Sequence, residues 1–263
     1  MILAIIVTYN PNIVELKKNL NIIKNEFNDL IIFDNNSKNI SDLENICNDK
    51  NYILIKNEIN YGLPYAYNYV IMRNFTKYDY FATFDQDTYI PNNYLNNLLP
   101  LFDSQPKVGV VGPSFVKSIR YKTLNYYKVD MLLQSGSIIS KNVFNKVGFF
   151  YEPLFIDAVE FDFFLRTRYN GFTLVKSNTV FIKHTIGDLK SSFGINYISH
   201  SPIRNYYYAR NHIYLTRVYF FKFPKFIIKK NLFFLIHILK LIFLDRDINK
   251  IKNLFSGLTI ILK

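Results

Sequence analysis

The sequence has 263 residues, with 49% hydrophobic and 17% aromatic content, 32 Lys+Arg against 20 Asp+Glu, no Trp and one Cys. So apolar a chain is not disordered, and its length suits one large domain, or one domain with an appendage. The single Cys47 excludes an internal disulfide and most structural zinc sites, and 9 Gly and 9 Pro without a fixed period exclude collagen and short repeats. In chain order, residues 1–9 (MILAIIVTY) lack the basic start and cleavage site of a signal peptide and run into Asn10-Pro11, so they read as a buried strand. Similar apolar runs recur at Leu30–Phe33, Tyr52–Ile55, Tyr80–Phe84 and Val108–Val111. The stretches between them are helix-like, about 10–15 residues each, which is the alternation of parallel strands with crossover helices. Asn12–Phe27 is one such helix, carried by Ile13, Leu16, Leu20, Ile23 and Phe27, and another starts at Pro91. Leu132–Ser140 reads as a strand, Lys141–Val147 as a short helix ending at Gly148, and Asp157–Tyr169 as a helix stopped by Asn170-Gly171. Thr173–Lys176 and Thr179–His184 read as short strands and Gly187–His200 as a polar loop. Ile203–Phe221 and Phe226–Leu244 read as helices separated by Pro224. The expected division is 1–200 for an α/β domain and 201–263 for a helical segment.

Ligands of an open α/β sheet bind at the carboxyl ends of its strands. Those ends carry Thr8-Tyr9-Asn10, Asp34-Asn35-Asn36, Asn57 to Asn60 and Asp85-Gln86-Asp87. Two carboxylates two residues apart repel unless something positive lies between them. A divalent ion such as Mg²⁺, which takes one or two carboxylates plus substrate phosphates, fits that requirement. A solvated turn is the plainer explanation of an isolated Asp-x-Asp.

Taken in order, Val7-Thr8-Tyr9-Asn10-Pro11, Ile32-Phe33-Asp34-Asn35-Asn36-Ser37, Asn60-Tyr61-Gly62 with Ala66 and Asn68, and Phe84-Asp85-Gln86-Asp87 resemble glycosyltransferase family 2. Further blocks resemble its rhamnosyltransferase branch. They are Ser135-Gly136-Ser137, Phe155-Ile156-Asp157, Val159-Glu160-Phe161-Asp162 with Leu165-Arg166, His184 with Ile186-Gly187-Asp188, and His200-Ser201-Pro202 with Arg204, Tyr206, Tyr207, Arg210 and Asn211. The resemblance covers residues 1 to about 215. It implies a GT-A fold, that is, a Rossmann-like, mostly parallel sheet with flanking helices. It also implies an inverting transfer that depends on Mg²⁺ or Mn²⁺, with a nucleotide sugar, dTDP-rhamnose above all, as donor and a lipid-linked surface glycan as acceptor. By the same resemblance Thr8, Tyr9, Asn10, Asp34, Asn36, Asn60, Gly62 and Gln86 bind donor. Asp85, Asp87 and His184 hold the metal, and Glu160 is the general base. Ser135, Gly136, Asp157, Asp162, His200, Arg204 and Arg210 lie on the acceptor or diphosphate side. Glu160 stands where most members carry Asp, and Pro64 where a small residue is usual. From the residues alone, the preferred readings are an ordinary acid in a helix's first turn for Glu160 and a buried, satisfied histidine for His184. Another donor (UDP-galactofuranose or a UDP-hexose) and a non-catalytic membrane-surface module are the alternative readings. A nucleotidyltransferase would want a Gly- and Arg-rich loop that Val7–Ser37 lacks.

The charge is concentrated at the end of the chain. Residues 200–263 hold 12 Lys+Arg and 2 acids, a net +10 of the chain's +12. In Phe226–Leu244, Lys229, Lys230, His237 and Lys240 share one arc of the helix and Phe, Ile and Leu fill the rest. That is the pattern of a helix lying in the plane of an anionic membrane, too often interrupted to span it; a helix docked on the protein's own core is the alternative. The expected location is the cytoplasmic face of a bacterial inner membrane. Nucleic acid is a poorer partner for a tail this apolar, which carries no recognised module.

Overall fold

The computed structural model describes residues 1–50, 52–115, 123–183, 188–192, 194–260 and 262. They form two compact units, Met1–Phe150 with Phe163–Thr185 and Tyr151–Asp162 with Ile186–Lys263. The boundary expected at 200/201 falls inside the second unit.

In the first unit the elements run β1 (Ile2–Thr8), α1 (Ile13–Glu26), β2 (Asp29–Asp34), α2 (Ile40–Lys50), β3 (Ile53–Lys56), α3 (Leu63–Arg73), β4 (Tyr80–Asp85) and α4 (Tyr94–Leu98). After α4 come a 3₁₀ turn at Leu99–Asp103, β5 (Val108–Ser114), β6 (Tyr126–Val129), β7 (Ser137–Ser140), α5 (Lys141–Val147), α6 (Val159–Tyr169) and β8 (Thr173–Phe181). The first residues of α6 belong to the second unit. Among the described residues these strands make one eight-stranded sheet in the order β3-β2-β1-β4-β7-β5-β8-β6. β3, β2, β1 and β4 are mutually parallel. β7 enters antiparallel between β4 and β5, and β6 closes the far edge antiparallel to β8.

The parallel half forms as its composition dictates. β1 is a continuous apolar run, and Leu3 to Ile6 are fully buried because helices cover both sheet faces. Asn12 caps α1 by accepting from the N–H groups of Val14 and Glu15 at 3.1 and 3.3 Å, a contact worth about 1 kcal/mol. Leu16, Leu20 and Ile23 then turn the helix's apolar face inward. Pro64 sits in the first turn of α3, where no amide donor is needed.

The other half departs from expectation. The strand expected at Leu132–Ser140 begins only at Ser137, because Gly136 turns the chain with φ 82°. The two short strands expected beyond Gly171 are one strand, β8, whose register to β5 shifts twice. The helix expected from Asp157 begins at Val159, since Asp157 and Ala158 have φ of 60° and 64°.

In the second unit the expected loop 187–200 contains a hairpin, β9 (Asp188–Ser192) and β10 (Ile195–Ser199). It is followed by α7 (Pro202–Tyr219), α8 (Pro224–Lys240), a π turn at Leu241–Asp245 and α9 (Ile248–Leu258). α9 was not expected; Asp247 caps it by accepting from the N–H of Asn249 at 2.9 Å and of Lys250 at 3.2 Å. α7 and α9 touch backbone to backbone at Gly257, where an added Cβ would lie 2.2 Å from the Tyr206 carbonyl oxygen. Ala209, Phe234, Leu241 and Leu254 form the apolar centre of this unit. Beside it the buried Lys250 donates to Asp245 at 2.7 Å and to Ser199.

Candidate active site

β1, β2 and β4 lie side by side in register, with Thr8 opposite Asp34 and Val7 opposite Asp85, so their carboxyl ends share one edge. At that edge Asp34 is 1% exposed. Thr8 donates to its Oδ1 at 2.8 Å, the Ser37 N–H donates to its Oδ2 at 2.8 Å, and the Ser37 hydroxyl also donates to Oδ1. Three donors on one carboxylate make it a knot between the β1 and β2 exits. Asn10 and Asn36 follow with φ of 49° and 69°, a region that asparagine tolerates better than most residues. The Asn10 N–H donates to Ser37 Oγ at 2.7 Å and its side chain accepts from the Lys38 N–H at 2.8 Å.

Asn35, which the sequence reading left without a role, ties this edge to the next turn. Its Nδ2 donates to the Gly62 carbonyl at 3.0 Å and its Oδ1 accepts from the Tyr61 N–H at 3.1 Å. Asn60 accepts from the Gly62 N–H at 2.9 Å, and Gly62 opens α3 with φ 88°. Tyr9 and Tyr61, at 50% and 47% exposure, stand on the two turns, with the Tyr61 ring resting on Tyr65 at 4.8 Å between centroids.

The Asp85-Gln86-Asp87 turn is fastened from two directions. Gln86 pairs with the backbone of Tyr9, accepting its N–H at 2.9 Å and donating to its carbonyl at 3.4 Å. Ser135 Oγ accepts the Asp85 N–H at 2.8 Å and lies 2.6 Å from Thr88 Oγ1. The Thr88 N–H closes the turn on the Asp85 carbonyl at 3.3 Å. Asp85 and Asp87, both half-buried, therefore project from a turn whose backbone is held on each side. Gly136, expected with Ser135 on the acceptor side, donates to the Thr83 carbonyl at 2.7 Å and accepts from Tyr94. Ser135 and Gly136 thus brace β4 and its turn. Nothing in the sequence pointed to Gln134. It is 7% exposed, and its amide nitrogen and oxygen have no hydrogen-bond partner among the described residues.

The remaining expected residues lie in the second unit or outside the described residues. His184 is among the latter. Among the described residues no group of three or more His, Cys, Asp or Glu side chains gathers into a metal cage. In the second unit the segment before α6 is irregular, with positive φ at Phe155, Asp157 and Ala158, so its carbonyls have no ladder to join. α7 supplies the donors. Asn211 Nδ2 donates to the carbonyls of Leu154, Ile156 and Asp157 at 2.9, 2.7 and 2.9 Å. Arg210, only 9% exposed, donates to the carbonyls of Pro153 and Leu154. Arg204 grips the Asp157 carboxylate through Nε and Nη2 at 2.9–3.2 Å. Asp162 is fully buried and accepts from Tyr214 at 3.0 Å and Tyr219 at 2.6 Å. Phe155 stacks on Tyr207 with ring centroids 4.5 Å apart.

Arg210 and Asp162, expected on the diphosphate or acceptor side, face inward: Arg210 fastens the segment that leads into Glu160, and Asp162 ties the start of α6 to α7. Glu160 is half-buried in the first turn of α6. Its charge acts on Lys230, whose pKa burial lowers and Glu160 raises in part; the Lys230 ammonium sits 3.4 Å from the centre of the Phe161 ring. His200 is half-buried against Tyr208 and His237, and burial, with Arg204 and Lys250, lowers its pKa.

Comparison with known proteins agrees with this architecture. The family model described as glycosyl transferase family 2 matches residues 3–158. The chain is 31% identical over 241 residues to the dTDP-rhamnosyl transferase RfbF of Shigella flexneri, covering 82% of this chain and 80% of that one. Among solved structures, the mannosyltransferase PcManGT from Pyrobaculum calidifontis, in complex with GDP-Man and Mn²⁺, superposes with TM-score 0.60 at 15% identity over 80% of this chain and 61% of its own. The first 349 residues of TarS from S. aureus, with UDP-GlcNAc, superpose with TM-score 0.54 at 16% identity over 82% of this chain and 66% of that one. The chain spans about two thirds of the length of these solved structures. The family model covers more than half the chain and the curated relative most of it, so the chain belongs to glycosyltransferase family 2, as a rhamnosyltransferase-like member with the GT-A fold.

Proposed function

We propose that the chain transfers rhamnose from dTDP-rhamnose, with inversion, to a hydroxyl of a lipid-linked surface glycan. The observation that carries this reading is the Asp85–Thr88 turn, with two half-buried carboxylates fastened by Ser135 and Gln86 at the exit of β4. Identity to a dTDP-rhamnosyl transferase along most of the chain supports the choice of donor.

Asp85 and Asp87 suit a hard divalent ion, because Mg²⁺ and Mn²⁺ accept a site of one or two carboxylates completed by diphosphate oxygens and water. When bound, such an ion neutralises the charge that develops on the leaving diphosphate. The exposed faces of Tyr9 and Tyr61 offer a stacking surface for the base. The Gln134 amide is a buried donor and acceptor suited to a sugar hydroxyl.

In the transfer, the acceptor oxygen bonds to the anomeric carbon from the face opposite the diphosphate. The bond from that carbon to the diphosphate oxygen breaks, and the acceptor's proton passes to Glu160. The base must be ionised beforehand. Glu160 stands in the first turn of α6, near the positive end of the helix dipole, and its charge raises the Lys230 pKa in part.

The test is release of dTDP by the purified chain with dTDP-rhamnose, set against UDP- and GDP-sugars, with Mg²⁺ or Mn²⁺ and then with chelator. Glu160→Gln is expected to bind donor normally and lose about 10²–10⁴ in kcat. Transfer by Glu160→Gln at the wild-type rate removes Glu160 from the role. Faster release from a UDP-sugar reassigns the donor.

A further inference from the structure

α8 is built inside out for a helix in water. Three of its polar side chains turn toward its own unit: Asn231 accepts from Thr216 at 3.0 Å, His237 pairs with Asn205 at 2.9 Å, and Lys230 lies on Phe161. Ile227, Phe234 and Leu241 fill the interior beside them. The opposite side carries Ile228, Leu232, Leu235 and Leu239, between 53% and 58% exposed, with Phe233 at 51% and Phe243 just beyond at 60%. The sequence reading grouped Lys229, Lys230, His237 and Lys240 on one polar arc. The structure divides them, with Lys230 and His237 inside and Lys229 and Lys240 exposed among the outward apolar residues.

We infer that this outward face of α8 is the seat of an anionic lipid bilayer, with Ile228, Leu232, Leu235 and Leu239 entering the acyl boundary and Lys225, Lys229 and Lys240 reaching the headgroups. A contiguous exposed apolar strip marks an interaction surface, and its charge selects the partner. α8 contains no acidic residue, so a second copy seated on the same face brings lysines against lysines, whereas anionic headgroups complement them. No helix among the described residues is long and apolar enough to cross a membrane, so the contact lies in the plane of the surface. This inference is independent of the catalytic reading, because adsorption requires neither donor nor base.

The chain has no Trp, which makes Phe233→Trp a single reporter. With the full-length protein, vesicles of phosphatidylcholine plus phosphatidylglycerol are expected to shift its emission to the blue, and brominated acyl chains to quench it. Phosphatidylcholine alone, or high salt, weakens both effects. The triple change Leu232→Ser, Leu235→Ser, Leu239→Ser alters outward side chains only. It is expected to lower vesicle partitioning at least about tenfold while the melting temperature and vesicle-free donor turnover stay unchanged. Lys229→Gln with Lys240→Gln is expected to cost about fivefold per lysine on anionic vesicles and nothing on neutral ones. Equal partitioning of wild type and triple variant overturns the inference. So does a dimer, seen by sedimentation, that the serines disperse while the wild type ignores vesicles.

Discussion

At the scale of single residues, the Asp34 carboxylate binds protein groups on three sides and is almost fully covered. Its first duty is to fix the two strand exits on which Tyr9 and Asn10 stand. Asp34→Ala leaves Thr8 and Ser37 donors without their acceptor, and a stability loss of about 1–3 kcal/mol is expected by urea denaturation, together with a raised donor KM. Gln134 works in the opposite sense. An unpartnered buried amide is unfavourable in the empty protein, so Gln134→Met is expected to hold or raise the melting temperature while raising donor KM. A purely structural amide gives the reverse. The residues at the exits of β1, β2 and β4 were legible because each cluster follows an apolar run. Gln134 was not, since neither motif nor periodicity marks a residue whose importance lies in what fails to bond with it. Cys47 is buried, and burial with the charge of Asp34 pushes its thiol up to about 11.

Among the elements, α7 is the one whose residues were seen and whose role was not. Its Arg, Asn and Tyr residues stood out in the sequence, and a basic residue beside a nucleotide diphosphate invites the phosphate reading. The sequence does not say which carbonyls lack partners, and these are what Arg210 and Asn211 satisfy. Asn211→Leu takes a donor from the carbonyls of Leu154, Ile156 and Asp157, of which Leu154 keeps Arg210. It is expected to lower kcat much more than it raises donor KM, as the segment before Glu160 relaxes, with a stability loss of about 1–3 kcal/mol. A KM effect of equal size contradicts this assignment. Gly257→Ala probes the contact of α7 with α9. Its Cβ meets main chain rather than a side chain that can turn aside, so a loss of at least about 1–3 kcal/mol is expected in thermal melts.

For the whole molecule, the parallel half of the sheet was readable strand by strand, because continuous apolar runs with helical spacers admit few other folds. Beyond Ser114, α5 and the strand segments within β7 and β8 were readable, but their order in the sheet and β6 were not. There β7 inserts between β4 and β5 through contacts remote in sequence, and β6 is a short edge strand only partly buried. Acid stability is also set by long-range packing. His212, stacked 4.1 Å from Phe234, and His237 are both lowered from 6.5 to about 4, chiefly by burial. Unfolded, each binds a proton near pH 6.5; folded, each resists until about pH 4. The unfolded state thus holds more protons in that interval, so stability is full above 6.5 and declines as pH falls toward 4. The urea midpoint is expected to follow that course, and His212→Phe to flatten it.

The 18-residue rod of α7 carries one further implication. One flank clamps the segment leading to Glu160 through Arg204, Arg210 and Asn211, and another receives α8 through Asn205 and Thr216. On the two proposals made above, adsorption at a bilayer and placement of the proton acceptor would be joined through this one helix. Turnover in plain buffer would then sample the helix unloaded, and liposomes are expected to change kcat even with a water-soluble acceptor.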